Sequence, residues 1–184
     1  MTFDCSVAVI AGGLSFEREV SLRSGRRVAE ALRDKGYRVG ELDADDKLVE
    51  ALRSGHFDVA FIALHGRFGE DGTVAALLEL LGMPYTGSSF DASRLAFDKL
   101  AAKAVLRRAG LDVPAAIPVT EGALRELGMG TLLDRAVDVL GLPLVIKPNN
   151  GSSCERIFRV QSPNELADLD IDDSGCLLAS APLR

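Results

Sequence analysis

The sequence predicts an α/β protein: an N-terminal, Rossmann-like parallel-sheet domain followed by a smaller α+β region. Three observations carry that reading. Short runs rich in β-branched and apolar residues alternate with helical patterns through the first half. The connections between them are brief, and right-handed crossovers then set the strands side by side in parallel. Near residues 94–97 the alternation gives way to helices, prolines and short strands. With 184 residues and 47% hydrophobic content, the chain has material for one medium or two small cores. We expect a first domain over residues 1–95 and a second over 96–184.

Each element has its own signal. Residues 7–11 (Val-Ala-Val-Ile-Ala) read as a buried first strand, ended by Gly12 and Gly13. Val28, Ala29 and Leu32 mark one face of a helix over 21–35, with Gly36 as its stop. A second strand follows at 37–42, a short helix at 47–53 and a third strand at 57–64. The helix at 73–81 is apolar almost all round, which predicts burial on most of its sides. Further on, 97–109 predicts a helix with Lys99, Lys103, Arg107 and Arg108 on its polar side. Residues 115–119 form a strand beside Pro114 and Pro118, 131–140 a helix, and 144–146 a strand whose hairpin partner is 157–160. Ser162, Pro163 and Glu165 have the chemistry of a helix start.

Bulk properties narrow the function. A net charge of −6 argues against nucleic acid as the main partner, because no large basic patch is present. Cys5, Cys154 and Cys176 are odd in number and widely spaced, which fits a reducing compartment better than a disulfide framework or structural zinc. Residues 1–5 lack the basic head of a signal peptide, and no apolar run approaches the roughly 20 residues that span a bilayer. The expectation is a cytoplasmic protein with no membrane partner.

Three stretches hold residues suited to chemistry. Gly12-Gly13-Leu14-Ser15-Phe16-Glu17-Arg18-Glu19 joins the first strand to the first helix, and amides at such a turn bind anions. It lacks the G-x-G-x-x-G dinucleotide pattern, and taken alone a tight turn with solvated acids is the simpler reading. Glu17 is the better candidate because it lies nearer the strand end; Glu19 reads as a surface residue. His65 follows the third strand beside Glu70 and Asp71, where ligands bind in parallel sheets. The spacing fits neither a zinc nor an EF-hand template, so ligand orientation is the better role and no metal site is assigned. His56 reads as a solvated loop residue. Lys99 and Lys147, each at the edge of an element, suit phosphate oxygens, and Gly151-Ser152-Ser153 offers amides and hydroxyls. There is no Walker A motif. A nucleotide site competes here with two exposed lysines beside a hairpin turn.

Taken together and in order, these motifs resemble D-alanine–D-alanine ligase of the ATP-grasp superfamily. The likeness rests on Gly-Gly-Leu-Ser-Phe-Glu-Arg-Glu-Val-Ser (12–21), Leu-His-Gly-Arg-Phe-Gly-Glu-Asp-Gly-Thr (64–73), Met-Pro-Tyr-Thr-Gly-Ser (83–88), Asp-Lys (98–99) and Gly-Leu-Pro-Leu-Val-Ile-Lys-Pro (141–148). It implies a pre-ATP-grasp domain followed by the central ATP-grasp subdomain. The implied activity joins two D-alanines for peptidoglycan synthesis, using ATP and magnesium through an acyl phosphate. Glu17 is then expected to hold the ammonium of the first D-alanine, with His65 near it. Lys99 and Lys147 are expected on ATP phosphates. Ser152 joins a hydrogen-bonded catalytic network and Ser153 a loop over the phosphates. Dimerisation through the N-terminal domain is also implied.

The likeness has departures. Residues 147–153 look one residue short of the family pattern. Cys154-Glu155 stands where the family has Val-Gly or similar, and 176–180 lacks the family's glutamate–lysine pair. The resemblance places the network tyrosine, a substrate-binding arginine and the magnesium ligands in a C-terminal subdomain outside this sequence. We therefore expect a truncated or divergent region after about residue 153, from a truncated or frameshifted gene, with little turnover from this chain alone. Two other readings follow: a non-catalytic binding or dimerisation module that keeps the N-domain fold, and a ligase for a different acceptor.

Overall fold

A computed structural model describes residues 4–127, 129–151, 157–162, 165 and 177–180. Ser152, Ser153, Cys154, Pro163 and Cys176 lie outside them. The chain divides into two compact units, Met1–Phe97 and Asp98–Arg184.

The first unit runs β1 (Ser6–Ala11), α1 (Arg18–Asp34), β2 (Arg38–Asp43), α2 (Leu48–Ser54), β3 (Val59–Ile62), α3 (Thr73–Leu80), β4 (Tyr85–Thr86) and α4 (Phe90–Phe97). Its four strands form a sheet in the order β2-β1-β3-β4. Every pairing is parallel, with Val9 opposite Glu41 on one side and Phe61 on the other. All six residues of β1 are buried, as a central strand covered on both faces requires. Its side chains alternate. Ala8 and Ile10 pack with Leu48 and Leu52 of α2 and Val74 and Leu78 of α3. Val7, Val9 and Ala11 face the opposite layer, where Ala29 of α1 sits. Gly25 lets α1 lie close to the sheet: a Cβ there would stand 2.5 Å from that of Ala11.

Several boundaries differ from the sequence expectation. Helix α1 starts at Arg18 rather than 21, because Ser15 and Glu17 carbonyls accept from the Arg18 and Ser21 amides and wind an extra turn. Strand β3 is shorter than 57–64, since the Asp58 carboxylate turns back to accept from the Ser6 amide. Helix α3 is buried along one face only: Leu78 is fully enclosed whereas Leu80 is 86% exposed. The helix expected over 97–109 is α5 (Lys99–Arg108), which starts two residues later because extended Asp98 caps it; α4 before it was not expected from the sequence.

The second unit continues from α5 through β5 (Ala116–Val119), α6 (Glu121–Leu127), α7 (Met129–Leu140), β6 (Leu144–Pro148), β7 (Phe158–Val160) and β8 (Leu177–Ser180). Its strands form an antiparallel sheet ordered β5-β8-β6-β7. The expected hairpin between β6 and β7 is present, with Ile146 opposite Phe158. Strand β8 lies in the middle of this sheet and pairs on both sides. Leu133 and Ala136 of α7 close over Leu144, Ile146, Val160 and Val119 to make the core.

Candidate functional site

In the first unit the candidate residues gather at the C-terminal edge of the parallel sheet. Strand β1 has β2 on one side and β3 on the other. Its connecting helix α1 covers one face, while α2 and α3 cover the opposite one. The chain therefore diverges where β1 and β3 end, the switch point at which open α/β sheets form a crevice. The turn after β1 and the loop after β3 border that crevice.

Serines of α1 and its leading turn join these two borders. The Ser21 hydroxyl, fully buried, accepts from the Gly12 amide at 2.9 Å and donates to the Ala63 carbonyl at 2.8 Å. Ser15 Oγ donates to the His65 carbonyl at 3.1 Å and accepts from the Glu17 amide at 3.2 Å. The His65 ring is held as well: Nε2 is 3.0 Å from Ser24 Oγ, and Nδ1 is 3.7 Å from Glu70 Oε1. Glu17 sits half-buried at the N-cap of α1, whereas Glu19 is exposed, as is His56.

A charged clamp secures the first turn. Arg18 donates to Asp43 Oδ1 at 2.9 Å and makes a second bond to Oδ2, while also donating to the Gly13 carbonyl at 3.0 Å. Asp43 in turn accepts from the Gly13 amide. The guanidinium bond holds the Asp43 carboxyl below the ordinary aspartate range, and the Gly13 and Ala44 amides reinforce it against desolvation. The loop after β3 is stiffened by its own bonds, Glu70 N–H to the Gly66 carbonyl and Thr73 N–H to Asp71 Oδ1.

In the second unit, Lys99 and Lys147 are both half-buried rather than exposed. Lys99 Nζ donates to the Gly151 carbonyl at 2.6 Å and to the Asn149 carbonyl at 3.2 Å. Burial, followed by the charge of Lys147, pulls Lys99 below the ordinary lysine value. Lys103 is lowered too, by burial and then by Lys147 and Arg107, and it donates to the Pro114 carbonyl at 2.8 Å. The charge of Lys147 thus acts on both Lys99 and Lys103. Asp98 caps α5, its Oδ1 accepting from the Leu100 and Ala101 amides, and it also accepts from Asn149 Nδ2 at 2.9 Å. Concentrated positive charge in a partly desolvated setting suits an oligophosphate.

Sequence reading missed Ser21, Ser24, Arg18, Asp43 and Asn149, which hold the candidates rather than being candidates. The signal available was Ser21, Ser24 and Gly25 together, a run of small residues on the sheet-facing side of α1. Among the described residues no group of three or more His, Cys, Asp or Glu side chains lies together to hold a metal ion.

Comparison with known proteins decides what this framework is related to. A family model described as D-ala D-ala ligase N-terminus matches residues 40–88. The D-alanine--D-alanine ligase of Desulforudis audaxviator is 49% identical over 148 residues, which is 80% of this chain and 46% of that protein. Over most of its length the chain is similar to about half of a D-alanine–D-alanine ligase. Solved structures agree: the Bacillus anthracis ligase superposes with a TM-score of 0.81 at 31% identity, covering 98% of this chain and 58% of that one. The same enzyme complexed with ATP gives 0.79, again at 31% identity, over 98% and 59%. The mixed α/β fold thus matches that of D-alanine–D-alanine ligase structures of the ATP-grasp family. The chain spans about half the length of the curated relatives it matches.

Proposed function

We propose that this chain forms part of an ATP-dependent ligase that joins two D-alanines for peptidoglycan synthesis in the cytoplasm. The observation that best supports it is the half-buried Lys99, held at the Asn149 and Gly151 carbonyls and subject to the charge of Lys147, in a chain similar to D-alanine–D-alanine ligases. In this reading Lys99 and Lys147 bind ATP phosphates, offsetting the charge that builds during phosphoryl transfer. Glu17 accepts a charge-assisted hydrogen bond from the ammonium of the first D-alanine, and His65 lies beside it. Ser152 belongs to the catalytic hydrogen-bond network and Ser153 to the loop over the phosphates. Magnesium supplies further cationic charge at the transferred phosphate; we assign its ligands to sequence outside this chain. The working assembly is a homodimer formed through the first unit, without nucleic acid or membrane partners.

Calorimetry with a non-hydrolysable ATP analogue tests the nucleotide site. Saturable binding that weakens at least tenfold in Lys147→Met supports it, and heat indistinguishable from dilution refutes it. A coupled assay with ATP, Mg²⁺ and D-alanine then reads catalysis. D-alanine-dependent phosphate release that disappears in Glu17→Gln supports the ligase reading. A dimer that binds nucleotide without any release supports a non-catalytic module.

A further inference from the structure

Asn149 is a buried amide whose two ends face partners of opposite kind. Its Oδ1 accepts from the Leu100 amide at 3.0 Å, and its Nδ2 donates to Asp98 Oδ1 at 2.9 Å. A backbone N–H only donates and an ionised carboxylate only accepts, so the side chain has one orientation here. The Asn149 carbonyl accepts from the Lys99 amide at 3.1 Å and from Lys99 Nζ at 3.2 Å, and Asn150 forms a β-bridge with Asp98. Asn149 is thus fastened to residues 98, 99 and 100, where α5 begins. It also directly follows β6, whose last residues are Lys147 and Pro148. That strand is fixed by pairing with β7 and β8. Helix α5 has no buried residue, so core packing does little to place its first turn.

We propose that Asn149 is a positioning residue: its side-chain amide ties the start of α5 to the end of β6 and so sets the spacing of Lys99 and Lys147. Two ammonium groups repel, and Lys99 is pulled below the ordinary lysine value by burial first and then by the charge of Lys147. Lysine stems are flexible, so such a pair spreads apart unless the elements that carry it are joined. The bonding pattern also dictates the residue type. Leucine forms neither side-chain bond, and aspartate sets a second carboxylate against Asp98. The consequence for catalysis rests on the reading that Lys99 and Lys147 bind ATP phosphates: the two cations are then placed before the nucleotide arrives, and binding costs less ordering.

Titrating the lysine ε-methylene resonances of the 184-residue chain by NMR reads the spacing without a ligand, and Lys99→Arg assigns the Lys99 signal. The quantity compared is the rise in the Lys99 midpoint caused by Lys147→Met, so offsets that belong to each background cancel. The rise should fall to about half its wild-type size or less in Asn149→Leu and in Asn149→Asp, as for a doubled separation of the charges. Asp98→Asn combined with Asn149→Asp again sets a donor against a carboxylate, with the roles exchanged, and should restore the full rise. A role in stability alone would leave the rise unchanged in every variant that folds. An equal rise in the single variants, or none in the wild type, overturns the proposal. So does a lost rise in the exchanged pair, which decides the matter even where neither single variant folds. Calorimetry with a non-hydrolysable ATP analogue separates this inference from the functional reading. Binding weakened about tenfold in Asn149→Asp and recovered in the exchanged pair supports both. No binding by the wild type, with the spacing effects intact, leaves Asn149 in its role and counts against the nucleotide site.

Discussion

Removing the Asp98 carboxylate should loosen the second unit around the start of α5 and Asn149. One oxygen of Asp98 accepts from three donors: the Leu100 amide at 3.0 Å, the Ala101 amide at 3.0 Å and Asn149 Nδ2 at 2.9 Å. Asp98→Ala removes the helix cap, at about 1 kcal/mol. It also strands the amide of Asn149, which is only 5% exposed and whose other Nδ2 contact, Asn150 Oδ1, is 3.5 Å away. An orphaned buried donor costs about 1–3 kcal/mol, so the total is about 2–4 kcal/mol. Asp98→Asn keeps an acceptor oxygen for all three donors and should lose less than about 1 kcal/mol, the charge-assisted part.

The sign of the pH dependence separates the two variants further. The Ala101 amide, with help from Asn149 and Leu100, holds the Asp98 carboxyl below its ordinary value of 3.8. A depressed folded value means that its stabilisation is fully present above the unfolded value and is lost as pH falls through the folded one. The wild type should therefore lose this contribution below about pH 4, while Asp98→Asn shows no such loss. Amide hydrogen exchange at Leu100 and Ala101 is the suitable assay, because it reads the second unit alone. Exposed Asp112 supplies a control. If Asp98→Ala lies within about 0.5 kcal/mol of Asp112→Ala, the reasoning fails.

Two further substitutions test the first unit. A Cβ on Gly69 would stand 2.4 Å from Leu64 Cβ and 2.7 Å from the Leu64 carbonyl carbon, so Gly69→Ala should cost about 1–3 kcal/mol in a urea titration; a neutral result would show that the loop is not held against β3. Leu78→Ala, at a fully enclosed position, should cost about 2–5 kcal/mol. Leu80→Ala, on the same helix but 86% exposed, should stay within about 0.5 kcal/mol in thermal melts; equal losses would contradict the one-faced packing of α3.

Much of the first unit was legible because parallel sheets impose local signatures. The apolar run at Val7 to Ala11 has to be buried on both faces, and Gly12-Gly13 has to end it. Expectation failed where a side chain from elsewhere set a boundary. The Asp58 carboxylate reaching the Ser6 amide shortens β3, and no periodicity within 57–64 encodes a contact with residue 6. The start of α5 was misjudged by two residues, because Asp98 serves as its cap rather than its first turn. Its carboxylate accepts from the nearby Leu100 and Ala101 amides, and Asn149 from a distant part of the chain adds a further bond to it. Burial of Lys99 and Lys147 was likewise invisible, since lysine alternates between solvated and partly buried settings according to what packs over its stem.

The residues named from motifs and the residues that hold them in place follow different rules. Motif residues are those able to meet a ligand, and a single loop can display them. Their holders connect distant elements, as Ser21 does between the ends of β1 and β3. Lys99 shows how the two classes overlap. An ammonium has three donors. Lys99 gives two of them to the carbonyls of Asn149 and Gly151, leaving one for a phosphate oxygen in the proposed site. A phosphate that draws the Lys99 ammonium away takes its donor from the Gly151 carbonyl, whereas the Asn149 carbonyl keeps the Lys99 amide at 3.1 Å. Lys103 instead donates to the Pro114 carbonyl, across the α5–β5 connection. The Lys99 ammonium thus reaches Gly151, while Asn149 is held as well by Asp98 and by the Lys99 and Leu100 amides.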